Sequence, residues 1–430
     1  MASFVRLVVS EAERMVSRLF KSEEAGEKEE EEEGRREEEE DEAPRAFLTA
    51  PQTEKLLEYG EVTGLSYGMG SMQGWRAQME DAHTLRPQLP DPLANWAFFA
   101  VYDGHAGNTV AEFCARHLLE HVLATEALLK QGEEEDPETV KDAIREAFLA
   151  IDRRMQGLSQ DEAWEHAGST AVAVLISPKH FYFINLGDSR AVLCRSAAVA
   201  FYTDDHKPSK PRERERIENA GGTVMLQRVN GSLAVSRALG DFDYKAVAWC
   251  SPVQQLVSPE PEVEHLDRCP DEDEFLVLAC DGVWDTFDNT GLCAFVRSRL
   301  QIIGKPHDVC ECVLDACLYK GSRDNMTCIV ICFPAAPGIS QEALQQEHEL
   351  DTHLEKRVAE LYDQLQQQEE EGPSLVGVFR CLASEANPGL PPGGGLASKR
   401  AVIMDAYESL KQSREEEQQL LAPSANADSN

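Results

Sequence analysis

The stretch Phe98-Phe-Ala-Val-Tyr-Asp-Gly-His-Ala-Gly107 places an apolar run directly before an Asp-Gly pair. A run without polar alternation is typical of a strand that is covered on both faces. Asp-Gly also favours an ordinary turn, so this stretch alone leaves the role of Asp103 open. Far along the chain, Phe275-Leu-Val-Leu-Ala-Cys-Asp-Gly282 repeats the pattern. Because a carboxylate at the end of a buried strand is costly without a compensating charge, the two strand ends together predict a shared polyvalent cation.

Strand-like and helix-like runs come in separate clusters, which favours an α+β fold over regular βαβ alternation. We predict a main domain over residues 61–336, preceded over 1–60 by an acidic, largely disordered extension. Residues 337–420 carry apolar side chains at helical spacing and predict a C-terminal appendage of two or three helices, followed by a tail over 421–430. The predicted strands are Trp96–Tyr102, Thr170–Ile176, Phe181–Leu186, Ala191–Cys194, Phe275–Ala279 and Thr327–Phe333.

The charge balance limits the partners of the chain. Its 77 acidic and 41 basic residues give a formal net charge of −36, which argues against nucleic-acid binding by the chain as a whole. Residues 23–42 hold 14 acidic and three basic side chains. Such a run favours a solvated tail, and an autoinhibitory or basic-partner role is the alternative.

The cysteines and the hydropathy indicate the compartment. The 12 cysteines include no C-x-x-C pair, so we expect reduced thiols in a cytoplasmic and/or nuclear protein. No apolar segment approaches the ~18–20 residues that a membrane span needs, and Ala2 lacks the Gly that N-myristoylation requires. We therefore expect no membrane anchor.

Further acidic residues lie at strand ends or in Gly/Asn-flanked turns, namely Glu80, Asp81, Asp188, Asp285 and Asp324. Hard oxygen ligands without a Cys or His cluster suit Mg²⁺ or Mn²⁺ rather than zinc.

The Asp-Gly pairs allow a specific hypothesis for two cations. If Asp103 bridges two ions, Gly104 could offer its backbone carbonyl to one, because a residue without Cβ lets the main chain approach closely. Asp281 and Asp324 could complete the second ion. Two cations roughly 3.5–4 Å apart suit hydrolysis of phosphate esters.

Two basic side chains are candidates beside these carboxylates. Arg76 precedes the Glu80-Asp81 pair and is suited to bidentate phosphate recognition, with an ordinary surface arginine as the alternative. His105 follows Asp103-Gly104 and could protonate a leaving alkoxide, although an isolated histidine is more often structural.

Three other side chains have structural interpretations. We interpret His83 as a structural histidine whose hydrogen bonds are satisfied. Asp188 is compatible with an ion pair to Arg190, a weak third-metal ligand, or both. Arg323 is compatible with an ion pair to Asp324.

Taken together, the motifs resemble the metal-dependent serine/threonine protein phosphatases of type 2C over residues 65–334. The shared elements are Ser71-Met-Gln-Gly-Trp-Arg-Ala-Gln-Met-Glu-Asp81, Val101-Tyr-Asp-Gly-His-Ala-Gly107, Gly168-Ser-Thr-Ala171, Asn185-Leu-Gly-Asp-Ser-Arg190, Asp205-His-Lys-Pro208, Leu233-Ala-Val-Ser-Arg-Ala-Leu-Gly-Asp241, Ala279-Cys-Asp-Gly-Val-Trp-Asp285 and Ser322-Arg-Asp-Asn325. The segment Leu390-Pro-Pro-Gly-Gly-Gly-Leu-Ala-Ser-Lys399 resembles the helical extension of the 1A/1B branch.

The resemblance implies a central β-sandwich of two antiparallel sheets flanked by helices, with two Mn²⁺ or Mg²⁺ ions per subunit between the sheets. It implies phosphoprotein substrates, a monomer and a water nucleophile. The implied metal ligands are Asp103, Gly104, Asp281 and Asp324, with Asp188 and Asp285 as weaker third-metal candidates. Glu80 would orient metal-bound water, Arg76 would bind phosphate, and His105 would be the general acid.

Two features depart from the family pattern, and one competing function remains. The acidic tract 23–42 lies outside the pattern, and Ala246-Val-Ala-Trp-Cys250 differs from the expected flap, which puts substrate preference in doubt. The competing hypothesis is a phosphoprotein-binding scaffold with negligible turnover. A complete set of metal ligands favours the enzyme.

Overall fold

The computed structural model describes residues 46–62, 64–130, 135–159, 164, 166–367 and 373–421. These residues form two compact units. The larger unit comprises the described residues up to 318 together with 322–338, and the smaller comprises 319–321 and the described residues from 339 onward. The acidic tract 23–42 and most of the predicted tail lie outside the described residues.

The strands belong to the larger unit. In chain order they are β1 (Phe47–Val62), β2 (Leu65–Arg76), β3 (Ala82–Arg86), β4 (Ala97–Tyr102), β5 (Gly104–His105), β6 (Gly168–Ser169), β7 (Ala171–Ile176), β8 (His180–Leu186), β9 (Arg190–Arg195), β10 (Ala198–Tyr202), β11 (Val224–Met225), β12 (Arg228–Val229), β13 (Leu239–Gly240), β14 (Glu262–Asp267), β15 (Asp273–Ala279) and β16 (Met326–Cys332).

Helices accompany the strands and make up the smaller unit. The α-helices are α1 (Thr109–Leu123), α2 (Glu126–Leu129), α3 (Pro137–Leu158), α4 (Pro211–Asn219), α5 (Asp281–Trp284), α6 (Asn289–Ile303), α7 (Pro306–Tyr319), α8 (Gln341–Gln366), α9 (Leu375–Ser384) and α10 (Arg400–Leu421). Short 3₁₀ helices cover Phe242–Lys245, Pro252–Gln254 and Gly395–Lys399.

Two antiparallel sheets dominate the larger unit. One has six strands in the order β1-β2-β16-β15-β9-β10, and the other has five in the order β14-β8-β7-β4-β3. Two smaller sheets, β13-β6-β5 and β11-β12, accompany them. The predicted α+β fold with two antiparallel sheets and flanking helices is confirmed.

Strand β4 shows why its sequence has no polar alternation. Phe99 and Val101 point into the core between the two large sheets, together with Leu276 and Ile329 from the other sheet. The alternate residues, such as Phe98, belong to the core that the five-stranded sheet shares with α1 and α3. Both faces are covered, and each fully buried large side chain stabilises the fold by roughly 1.5–3 kcal/mol.

The predicted N-terminal boundary is wrong for residues 47–60, which lie in β1 rather than in a disordered extension. β1 pairs with β2 from Phe47 opposite Arg76 to Val62 opposite Leu65. As an edge strand it is only partly covered, and its side chains alternate between exposed and half-buried. Pairing with β2, rather than burial of its own apolar side chains, holds β1 in place. Its sequence therefore lacks the pattern that would identify it as a strand.

The smaller unit contains the predicted helical appendage, with three α-helices. Leu354 and Val358 of α8 pack with Val378 of α9 and Ile403 of α10. Lys399 is almost fully buried and forms ion pairs with the carboxylates of α8. None of the helices in the described ranges combines the length and apolarity that crossing a membrane would require.

Candidate active site

Carboxylates from both large sheets meet in the larger unit. Asp103 follows β4 and Asp281 follows β15, and Asp188 lies in the turn between β8 and β9. One carboxylate oxygen from each of these three residues lies within 4.8 Å of the other two. The structure therefore brings the two predicted Asp-Gly strand ends together.

The glycine of each Asp-Gly pair allows a loop to approach the strand end. A Cβ at Gly104 would lie 2.4 Å from the backbone oxygen of Glu80, and a Cβ at Gly282 would lie 2.0 Å from that of Asn325. Any larger residue would displace the loops that carry Glu80 and Asp324. The Asp-Gly pattern thus has a packing reason in addition to its chemistry.

Asn325, for which the sequence indicated no role, organises the loop that carries Glu80. Its side-chain amide donates to the carbonyls of Gln73 (2.8 Å) and Gln78 (3.0 Å). Its side-chain oxygen accepts from the backbone N–H of Glu80 at 2.9 Å. The Glu80 carboxylate then accepts from the N–H of Gly107 at 2.6 Å, which ties it to the segment after β5.

The negative charges of the clustered carboxylates repel one another. Burial, followed by the charge of Asp281 and its neighbours, raises the pKa of Asp103 well above its usual range. Burial, followed by the charge of Asp188, does the same to the pKa of Asp281. Burial also raises the pKa of Asp285, which follows α5 one turn after Asp281. Desolvated carboxylates of like charge are stabilised by a cation.

Asp81 adds a further sign that a cation fits this cluster. Its Oδ2 accepts from the Thr327 hydroxyl at 2.7 Å, whereas its Oδ1 is shielded from solvent and has no hydrogen-bond partner among the described residues. A carboxylate oxygen of Asp81 lies within 4.8 Å of one on Asp103. Burial raises the pKa of Asp81 to about 6. The oxygen-rich donor set fits the hard cations Mg²⁺ and Mn²⁺.

Arg76, at the end of β2, lies against Asp324. Its Nε donates to Asp324 Oδ1 at 2.7 Å and its Nη2 to Oδ2 at 3.3 Å. Both side chains are about one-third exposed. The alternative ion pair between Arg323 and Asp324 is wrong, because the Arg323 guanidinium lies over the Phe47 ring, 4.7 Å from its centre.

Lys207, for which the sequence indicated no role, is the partner of Asp188. Its Nζ donates to Asp188 Oδ2. The alternative ion pair between Asp188 and Arg190 is wrong, since Arg190 binds Asp205 through two hydrogen bonds of 2.9 and 2.8 Å. Asp188 therefore lies directly in the carboxylate cluster with its own cationic partner.

His105 is oriented by a residue from another part of the chain. Strands β5 and β13 flank β6, so His105 and Gly240 both pair with Gly168. Asp241 follows Gly240, and its two carboxylate oxygens lie 2.8 and 2.9 Å from His105 Nε2. A Cβ at Gly168 would lie 2.3 Å from Asp241 Oδ2 and 2.4 Å from His105 Nε2. Only glycine at 168 leaves room for this pair.

The electrostatics of the pair favour a protonated imidazole. Burial lowers the pKa of His105, but the Asp241 carboxylate outweighs that effect, so this pKa lies above its ordinary value. Asp241 is almost fully buried and adopts the left-handed conformation, with φ of 52°. In the sequence, Asp241 is marked only as a polar residue that directly follows a turn glycine. That position does not identify His105 as its partner.

His83 lies outside this site. Its Nε2 is 2.9 Å from Glu58 Oε1 of β1, which agrees with the structural interpretation of this histidine.

Comparison with known proteins extends these observations. Residues 65–326 match the family model for protein phosphatase 2C, and residues 327–408 match that for the protein serine/threonine phosphatase 2C C-terminal domain. Protein phosphatase 1A of Mus musculus is 56% identical over 366 residues, covering 85% of this chain and 95% of that protein. Protein phosphatase 1B of Mus musculus is 55% identical over 372 residues, covering 85% and 94%.

Solved structures share the fold. A phosphatase from Toxoplasma gondii superposes with a TM-score of 0.56 at 26% identity, covering 65% of this chain and 96% of that one. A sex determining protein of C. elegans superposes with a TM-score of 0.54 at 28% identity, covering 66% and 68%.

Proposed function

The chain belongs to the protein phosphatase 2C family and is a protein serine/threonine phosphatase, and from this premise we propose that two divalent cations, Mn²⁺ or Mg²⁺, serve its hydrolysis of phosphoserine and phosphothreonine. The observation that carries the proposal is the set of carboxylate oxygens of Asp103, Asp188 and Asp281 within 4.8 Å of one another. The phosphorylated side chain of a protein substrate would bind beside this carboxylate cluster.

Four aspartates and the backbone carbonyl of one glycine would hold the cations, with Asp285 as a further candidate. Asp103 would contact both, and Gly104 would add its backbone carbonyl. Asp281 and Asp324 would hold the second cation, and Asp188 and Asp285 would hold a weaker third one. Bound divalent cations supply Lewis acidity, which activates water for attack at phosphorus and offsets the negative charge of the phosphate.

Glu80 would orient the attacking water. Its Oε1 already accepts from the Gly107 N–H, which limits the positions that the carboxylate can adopt. The other lone pairs of the carboxylate remain available to accept a hydrogen bond from water.

Arg76 would hold the phosphate. Its guanidinium presents donors in a planar fork that matches two phosphate oxygens. The fork now engages the Asp324 carboxylate and is partly exposed, so a phosphate would meet a cation that is already oriented at the site.

His105 would protonate the leaving serine or threonine oxygen. Its Nε2 faces Asp241, so Nδ1 is the ring nitrogen from which the proton would pass. The raised pKa of His105 favours the protonated form that a general acid requires.

Removal of one ligand tests this function. In phosphate-release assays on a phosphothreonine peptide with Mn²⁺, Asp281→Asn is expected to lower kcat at least about 100-fold, or ~2.7 kcal/mol. It should also weaken Mn²⁺ binding measured by calorimetry. Asp271→Asn is the matched control, because Asp271 is exposed and lies just before the opposite end of β15. Full activity in Asp281→Asn, or phosphate release that persists in EDTA, would contradict the proposal.

We also propose a reducing compartment, the cytoplasm and/or the nucleus. All twelve cysteines lie in described ranges and carry thiols rather than disulfides, which supports this proposal. Fractionation of cells expressing the chain tests it, and recovery from secretory compartments would contradict it.

A further inference from the structure

Lys207 brings a positive charge into the carboxylate cluster and has no part in the chemistry described above. Its ammonium donates to Asp188 Oδ2, and Asp188 shares the cluster with Asp103 and Asp281. A lysine ammonium therefore lies directly against one carboxylate of the cluster.

The backbone around Lys207 is fixed to the turn that carries Asp188. The N–H of His206 donates to the Gly187 carbonyl at 2.7 Å, and the N–H of Gly187 donates to His206 Nδ1 at 3.1 Å. The Asn185 side chain donates to the Asp204 carbonyl at 2.9 Å. These hydrogen bonds hold the two loops together, so the ammonium has a high local concentration at Asp188.

A lysine in this position can release the carboxylate again. The ammonium is a compact charge on a flexible stem, and the Lys207 side chain is 38% exposed whereas that of Asp188 is 4% exposed. It can move toward solvent when a stronger cation arrives. An ammonium and a divalent cation beside the same carboxylate repel each other as like charges, so each lowers the affinity of Asp188 for the other.

We propose that Lys207 is a tethered competitor of divalent cations at Asp188 and thereby sets the free metal concentration at which this part of the cluster fills. The inference rests on the metal dependence proposed above. It assigns Lys207 to regulation of metal loading rather than to contact with substrate.

Calorimetric titration of the full chain with Mn²⁺ tests this inference. Lys207→Met is expected to bind its weakest Mn²⁺ at least about tenfold more tightly than the unchanged protein, which corresponds to ~1.4 kcal/mol. Lys207→Arg keeps the charge and should show a smaller gain. Lys210→Met is the matched control, because Lys210 lies on the same loop and forms a 3.6 Å ion pair with Asp204. Its Mn²⁺ binding should not change.

The titration separates failure of this inference from failure of the proposed function. Unchanged or weaker Mn²⁺ binding in Lys207→Met, alongside normal binding by the unchanged protein, overturns the role of Lys207 alone. Absence of Mn²⁺ binding in the unchanged protein overturns the metal dependence and this inference with it. If circular dichroism shows that Lys207→Met does not fold, the same titration is made with Lys207→Gln, and the same gain in Mn²⁺ affinity is expected.

Discussion

The substitution Asp241→Asn isolates the role of the carboxylate behind His105. Asparagine has nearly the same shape and tolerates the left-handed conformation that Asp241 adopts, so the change removes charge with little strain. We expect slower hydrolysis of alkyl phosphates, because the imidazole loses the group that keeps it protonated.

The magnitude follows from the geometry of the pair. The two oxygens lie 2.8 and 2.9 Å from Nε2, and Asp241 is 2% exposed. A hydrogen bond to a charged group contributes about 1.5–3 kcal/mol, which sets the size of the loss when the carboxylate is removed. Asp241→Asn should therefore lower the pKa of His105, because the carboxylate that raises it is removed. The basic limb of the pH–rate profile should move to lower pH.

Two substrates with different leaving groups provide the assay. On a phosphothreonine peptide, whose alkoxide needs a proton, kcat should fall about 10–100-fold. On p-nitrophenyl phosphate, whose leaving group needs little protonation, the loss should be small. Adding His105→Ala to Asp241→Asn should produce no further comparable loss, because both changes remove the same function.

A neighbouring pair provides the control. Asp243 lies 2.6 Å from His166 Nδ1, and both side chains are exposed, so Asp243→Asn should leave kcat unchanged since exposed pairs are weak. Equal losses on both substrates, or independent losses in the double variant, would refute the reasoning.

Two further substitutions test packing and stability. Gly168→Ala should lower kcat on the phosphothreonine peptide at least about tenfold, because its Cβ would lie 2.4 Å from His105 Nε2; wild-type kinetics would contradict the packing argument. Burial raises the pKa of the Glu213 carboxyl, but Arg237 and Arg216 outweigh it and hold this pKa at about 2, against an ordinary 4.5. The ionised side chain should therefore stabilise the fold by about 3 kcal/mol at pH 7. This contribution is complete above pH 4.5 and declines as the pH falls toward 2, so urea unfolding should show the destabilisation in Glu213→Gln shrinking between pH 5 and 3. A difference that is independent of pH would contradict the linkage.

The apolar runs before Asp103 and Asp281 correctly predicted buried strands. They could be recognised because each strand lies inside its sheet and every one of its residues is buried. Strand β1 lacked this signal, since an edge strand keeps exposed side chains and depends on β2 for its hydrogen bonds. The local sequence pattern indicates whether a strand is buried, but it indicates only weakly which strand pairs with which.

By itself the sequence determined the kinds of group at the strand ends: carboxylates followed by glycines, a nearby arginine and a histidine. These residue types limited the chemistry to hard cations and phosphate. Tertiary structure alone decided the pairs, placing Arg76 on Asp324, Lys207 on Asp188 and Asp241 on His105. The reason is that electrostatic and hydrogen-bonding interactions act through distance in space, and strand pairing brings together residues such as 105 and 241 that no spacing along the chain connects.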